Sequence, residues 1–265
     1  MSEDNQNGGE VVIETRGHVR LIRINRPQRS NALTPEVQQS LSEAFADANL
    51  DPETRAVVLT GTGERAFCAG MDLKARHEAD REGQAPRQPM TGIARSYLEI
   101  ILETYKPTIA ALNGAAVAGG FETALACDLR IAEEHVVMGL PEAKRGLGAH
   151  FATVLLPRVI PRALALELLF RGDYIDAAEA YRIGLVNRVV PKGRALETAL
   201  DLAASIAKNA PVSVRRIKET AVKAIGLPLA AALRLNEGIS PYLSEDRVEG
   251  VRAYVEKREP QWKGR

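Results

Sequence analysis

Two glutamates stand where a carboxylate is costly. Glu122 lies inside AVAGGFETALACD, residues 116–128, a stretch of small and apolar residues, and Glu142 follows twenty residues later in GLPEA. A buried, unpaired carboxylate is expensive, so Glu122 must reach solvent, find a partner or line a cavity that uses it. Two glycine turns accompany the pair. FCAGMDL, residues 67–73, follows the apolar run RAVVLTG (55–61), and AGGFE, residues 118–122, follows TIAALNG (108–114). Backbone N–H groups freed at such turns and at a helix start attract an anion or a developing oxyanion. Each feature alone has a plainer use: glycine for backbone geometry, Glu in a first helical turn for the dipole, and Glu142 after Pro141 as a surface turn residue. Together they suggest acid–base chemistry beside an oxyanion site.

Other chemistries find little support. No G-x-S-x-G elbow or Walker A lysine loop is present, GTGERA (61–66) lacks the third glycine of a dinucleotide fingerprint, and HEADR (77–81) lacks the second histidine of a zinc protease motif. Cys68 and Cys127 show no metal-type spacing to the four histidines and read as reduced thiols. With 35 Lys+Arg against 34 Asp+Glu, the net charge of +1 gives no global field for nucleic acid or an anionic membrane. No window approaches a membrane span, and the polar start MSEDNQNGGE lacks the basic and apolar parts of a signal peptide. A soluble, cytoplasmic protein with residues 1–10 as a disordered tail is expected.

The 265 residues, 45% hydrophobic and 26% charged, suit one large α/β domain with an appendage. VVIETR (11–16) and HVRLIRIN (18–25), joined by Gly17, predict a β-hairpin. Thr34 as N-cap and Pro35 at the first helical position start a helix with Val37, Leu41, Ala44, Phe45 and Ala48 on one face. RAVVLTG and TIAALNG read as buried strands. Residues 73–92 are polar and predict a loop, mobile around GQAPRQP, before an amphipathic helix carrying Ile93, Tyr97, Ile101 and Leu102. Helices dominate beyond residue 150: Asp176 and Glu179 have capping-box spacing, Gly184 marks a stop, and amphipathic stretches from Pro211 and Ser244 need a partner for their apolar faces.

In order along the chain, NRPQRSNAL, RAVVLTGTGERAFCAGMDL, KPTIAALNGAAVAGGFETALACDLRIA, GLPEAKRGLG and GDYIDAAEAYRIGLVNRVV resemble the enoyl-CoA hydratase/isomerase family, the crotonase superfamily, over nearly everything after residue 10. The resemblance implies a spiral of repeated β-β-α units over 11–205 and a helical region over 206–265 that makes a homotrimer or a dimer of trimers. It implies an acyl-CoA substrate, coenzyme A being part of that thioester, with no further cofactor and no metal. By position, the backbone N–H groups of Met71 and Gly119 are expected to form the oxyanion hole. Glu122 is expected to help activate water for attack at the β-carbon while Glu142 delivers a proton to the α-carbon. CoA is expected along Arg29, Ala66, Ala69, Met71, Asp72, Leu73 and Gly119, with Lys257 or Lys263 reaching it from a neighbouring subunit.

The chain departs from the family at GLGAHFATV (146–154), where His150 and Phe151 replace small residues of a glycine-rich stretch. His150 could be a polar wall, a proton relay or a packing residue. Hydration of a 2-enoyl-CoA is the first expectation. Δ3,Δ2-isomerisation and dehydration of a carnitinyl-CoA, to which LPEAK and EKREPQWKGR also bear a likeness, are the alternatives; RNA binding, known in some relatives, lacks the basic stripe it needs.

Overall fold

The structure, a computed structural model, describes residues 9–83, 90, 91 and 93–265. Most of the expected disordered tail and of the expected mobile GQAPRQP loop lies outside the described residues. The chain opens with β1 (Val11–Arg16) and β2 (Val19–Ile24), the antiparallel hairpin predicted, with Gly17 at φ +58° in its turn. Next come α1 (Pro35–Leu50), β3 (Ala56–Gly61), β4 (Ala66–Cys68), α2 (Leu73–Arg81), α3 (Tyr97–Leu102), β5 (Thr108–Leu112), β6 (Ala115–Val117) and α4 (Gly119–Ala126). The chain continues through β7 (Leu129–Glu133), β8 (Val137–Gly139), α5 (His150–Val159), α6 (Arg162–Arg171), β9 (Tyr174–Asp176), α7 (Ala177–Arg182) and β10 (Arg188–Val190). It closes with α8 (Ala195–Ala207), α9 (Pro211–Lys223), α10 (Leu229–Ala232) and α11 (Glu245–Glu256).

One sheet runs β1-β2-β3-β5-β7-β10, parallel from β2 onward, and a second runs β4-β6-β8-β9. Parallel strands covered on both faces read as continuous apolar runs, which is why AVVLTG shows no polar face. Its alternate residues still sort by side. Val57 and Leu59 join the large core under α1, α3 and α4, whereas Ala56 and Val58 meet Ala195, Ala199 and Ala203 of α8. Alanine at four-residue spacing lets α8 lie close to the sheet.

Thr34 caps α1 by accepting the Val37 N–H at 3.3 Å, and all five predicted face residues are buried. Asp176 caps α7 through the Glu179 N–H, and Gly184 takes φ +79° just past that helix. Two expectations are corrected. Residues 73–81 form α2 rather than a loop; its helicity is supported by the Arg76–Asp80 pair one turn apart, a local interaction that leaves no apolar stripe to read. Ile93 is fully exposed and precedes α3, which starts at Tyr97 behind a Ser96–Glu99 capping box.

The turn that joins β3 to β4 is pinned by two asparagines. Buried Asn31, at φ +55°, accepts the Arg26 N–H and donates to the carbonyls of Thr62 (3.0 Å) and Ala66 (2.7 Å). Asn113 accepts the Gly61 N–H and donates to Gly63. Replacing Asn31 by Ala strands these buried groups in a left-handed backbone that alanine disfavours. Urea unfolding should therefore show a loss of roughly 2–4 kcal/mol; a loss under about 0.5 kcal/mol, within the range of neutral surface changes, would mean that Asn31 does not hold the loop.

Candidate active site

Leu33 forms an isolated parallel bridge with Met71: the Leu33 N–H donates to Gly70 O at 2.8 Å, and Leu33 O accepts from Asp72 N–H at 3.3 Å. In that pattern Met71 turns its own N–H away from Leu33. Gly119 is the first residue of α4, ahead of the first helical bond from Glu122 N–H to Ala118 O. A Cβ placed on Gly70 would stand 3.0 Å from the Gly119 nitrogen, and one on Gly120 would collide with the Cys68 carbonyl. These approaches require glycine. Ala118, between strand and helix, is held at φ +53°, ψ −128°, a conformation that costs about 1–3 kcal/mol and aims the helix start at the Met71 turn.

Glu122 is half-buried and forms no ion pair among the described residues. Its Oε1 accepts the Ala152 N–H at 3.0 Å, with the Phe151 N–H also directed at the carboxylate. It thus caps α5 from another helix, where Ala149 at the N-cap offers no side-chain oxygen. Burial pushes the Glu122 carboxyl up from 4.5 to about 7; the two N–H groups oppose that rise, the Glu142 carboxylate adds to it, and His150 lowers it slightly. Glu142 sits in a 3-10 turn (Pro141–Arg145) and is 8% exposed, and its Oε2 is buried with no hydrogen-bond partner among the described residues. Burial raises its carboxyl as well, opposed by its own N–H and by Arg145. Both neighbouring carboxyls hold their protons more tightly than a solvated carboxyl does, so their titrations are coupled.

The other predicted residues fall around this pair. Arg29 is half-exposed with Nε 3.7 Å from Asp72 Oδ2, and Arg26 lies 3.9 Å from the same oxygen. Met71 and Leu73 expose nearly half their surface, whereas Ala69 is half-buried with its N–H on Ser30 O. Ala66 is buried beneath the site, its carbonyl occupied by Asn31. His150 is exposed at the start of α5, its Nδ1 3.4 Å from Gly148 O. Among the described residues, no three His, Cys, Asp or Glu side chains gather as a metal requires.

Sequence reading missed the hydroxyl chain behind the start of α4. Tyr97 Oη lies 3.0 Å from Thr123 Oγ1, which donates to Gly119 O at 2.7 Å. Since the threonine proton is committed, Tyr97 donates and its oxygen remains an acceptor. That oxygen is 3.9 Å from where a Cβ on Gly119 would stand. The Tyr97 spacing on a helical face revealed burial but not this partner. Arg130 was also missed. Fully buried, it donates to the carbonyls of Cys127, Ala124 and Leu185, capping the far end of α4.

The enoyl-CoA hydratase/isomerase family model matches residues 14–265. A Thermus thermophilus protein provisionally named an enoyl-CoA hydratase is 42% identical over 93% of this chain and 98% of its own length. The (E)-benzylidenesuccinyl-CoA hydratase of Thauera aromatica is 40% identical (96% and 99% covered). A Proteus mirabilis carnitinyl-CoA dehydratase is 38% identical (96% and 98%). The crystal structure of an enoyl-CoA hydratase from Bacillus anthracis superposes with a TM-score of 0.85 at 35% identity, covering 97% of this chain and all of that one.

A carboxyl whose folded value is raised favours the folded state while protonated. Its contribution is complete below 4.5 and is lost as pH rises through about 7, roughly 3 kcal/mol in all for Glu122. Glu122→Gln should therefore gain stability over the parent at pH 8 relative to pH 4.5, by about that amount in paired urea titrations. An unchanged difference between the two pH values would show that Glu122 ionises as a solvated carboxylate.

Proposed function

The chain belongs to the enoyl-CoA hydratase/isomerase family, and from that premise we propose that it is an enoyl-CoA hydratase, adding water across the double bond of a 2-enoyl-CoA. The observation that carries this is the carboxyl pair: Glu122 half-buried with its affinity near neutrality, and buried Glu142 beside it with an oxygen that has no partner among the described residues. Ionised Glu122 takes a proton from water as the water oxygen bonds to the β-carbon. The π electrons move toward the thioester, and the N–H groups of Met71 and Gly119 hold the oxygen as it gains enolate charge. Protonated Glu142 then donates to the α-carbon, leaving a 3-hydroxyacyl-CoA and the two carboxyls with their proton exchanged. Isomerisation moves one proton between carbons and needs no water-activating partner; two adjacent carboxyls of raised proton affinity favour hydration.

Arg145 and, when protonated, His150 place positive charge near the pair. A quaternary ammonium acyl group, as in a carnitinyl thioester, would meet like charge there, so an uncharged or anionic acyl group suits the site better. The Arg26–Asp72–Arg29 cluster beside exposed Met71 and Leu73 is the proposed path of CoA. No cofactor beyond the CoA of the substrate is needed for this chemistry. Exposed Leu229, Leu233, Tyr242, Leu243, Tyr254 and Val255 support homotrimer formation through the C-terminal region, and two buried free thiols suit a cytoplasmic location. No helix among the described residues is long and apolar enough to cross a membrane.

Purified protein should deplete the enoyl-thioester absorbance of crotonyl-CoA and yield the 3-hydroxy product by mass. Glu122→Gln and Glu142→Gln should each lower kcat by roughly 10²- to 10⁴-fold while remaining folded. In the parent, kcat/KM should fall as pH drops through about 7, where Glu122 loses its basic form. A folded, inert parent would refute hydration of simple enoyl-CoA.

Tyr97→Phe should lower kcat roughly three- to tenfold with little change in KM, through loss of one hydrogen bond worth about 0.5–1.5 kcal/mol that steadies the α4 start. Unchanged kcat would show that the hydroxyl chain plays no part in positioning the turn.

A further inference from the structure

A groove of about 230 Å³ opens at the N-terminal ends of β3 and β5, the end of the sheet remote from the Met71 and Gly119 turns. Its walls are the loop after α1, the segment Tyr105–Pro107, the first turns of α9 and the chain end at Trp262–Gly264. Five cations line it, namely Arg55, Lys106, Arg215, Arg216 and Lys263, against two carboxylates, Glu53 and Glu219. Lys263 is paired with Glu245, and Glu219 is engaged by Lys223. For Arg55, Lys106, Arg215 and Arg216, no ion pair forms among the described residues.

Those four charges are incompletely compensated: Asp51 acts on Lys106 and Glu237 on Arg216, neither within ion-pair distance. Arg55 donates to Ala207 O and the Lys106 amine to Asp51 O, both neutral acceptors. Arg216 uses one nitrogen on Leu235 O and Asn236 Oδ1, while its Nη1 is buried without any partner. Burial holds the Lys106 amine down at about 8, where the pull of Asp51 is countered by repulsion from Arg215 and Arg20. Like charges held this close are unfavourable unless an anion joins them. The N-terminus of α9 adds to the same field, because its Val212 and Ser213 N–H groups precede the first helical bond, from Val214 N–H to Ala210 O. Arginine forks and a lysine around a cleft of this size match the oxygens of a phosphate better than a lone carboxylate.

We propose that this groove is a second ligand site, separate from the thioester site, that takes a small phosphate-bearing anion on Arg55, Lys106, Arg215 and Arg216. Tyr105 and Trp262 on its walls leave room for a group carried by the phosphate.

The test is isothermal titration of the full chain with inorganic pyrophosphate, at an ionic strength fixed with sodium chloride. Saturable binding is expected in the parent, weakened roughly tenfold or more by Arg215→Ser and, independently, by Arg55→Ser. Turnover of crotonyl-CoA by Arg215→Ser should match the parent. Arg29→Ala, which alters the proposed CoA path, should leave pyrophosphate binding intact. The proposal is overturned if no heat exceeds that of sodium chloride, if both groove variants bind as the parent does, or if Arg29→Ala alone removes binding, since the anion then sits in the CoA path.

Discussion

The hydrogen bond from the Ala152 amide to the half-buried Glu122 carboxylate ties α5 to α4. It lets a charge reside in an apolar helix by setting it on the N-terminus of a second one. A helix start favours an anion by about 0.3–1 kcal/mol, and more when partly buried. That is less than the burial cost, so the carboxyl stays near neutrality instead of ionising fully. A residue meant only to cap α5 would serve better ionised; one meant to trade protons serves better poised. The same contact fixes α5 against α4 and so sets where Glu142, just upstream in the chain, can stand.

Around that contact the fold arranges backbone with little slack. Gly70 and Gly120 admit neighbouring main chain where a Cβ would not fit, and Ala118 holds a strained conformation at the start of α4. Strain of that kind persists only where surroundings over-determine it. Here the asparagine pins below, the Tyr97–Thr123 chain beside and Arg130 at the far end of α4 supply that restraint. Arg130 makes its bonds to carbonyls, and burial lowers its proton affinity against the opposing pull of Cys127 and Asp128. Its charge complements the negative end of the helix whose positive end begins at Gly119, beside Gly70.

What the sequence made legible follows from periodicity and local signals. The hairpin, the capped α1 and its five buried positions, and the apolar strands could be read because one face or one turn residue declared each. Helix α2 could not, since a polar helix held by the Arg76–Asp80 pair has no stripe. Glu122, Glu142 and the two glycine turns stood out by residue type, whereas the roles expected of them, and the choice of the Met71 and Gly119 N–H groups, came only from the family resemblance. Nothing local tied Glu122 to Ala152, thirty residues away, or Tyr97 to Thr123, because those partners meet only after the sheet brings α3, α4 and α5 together.

The central claim is that Glu122 is held near neutral affinity by burial and by its neighbour Glu142. Carbon-13 NMR titration of glutamate side-chain carboxyls, in the parent and in Glu142→Gln, tests it most directly. One carboxyl, absent from Glu122→Gln, should titrate near 7 in the parent and at lower pH when Glu142 is neutralised. If every glutamate titrates between about 4 and 5, Glu122 is an ordinary solvated carboxylate and the paired-carboxyl account fails.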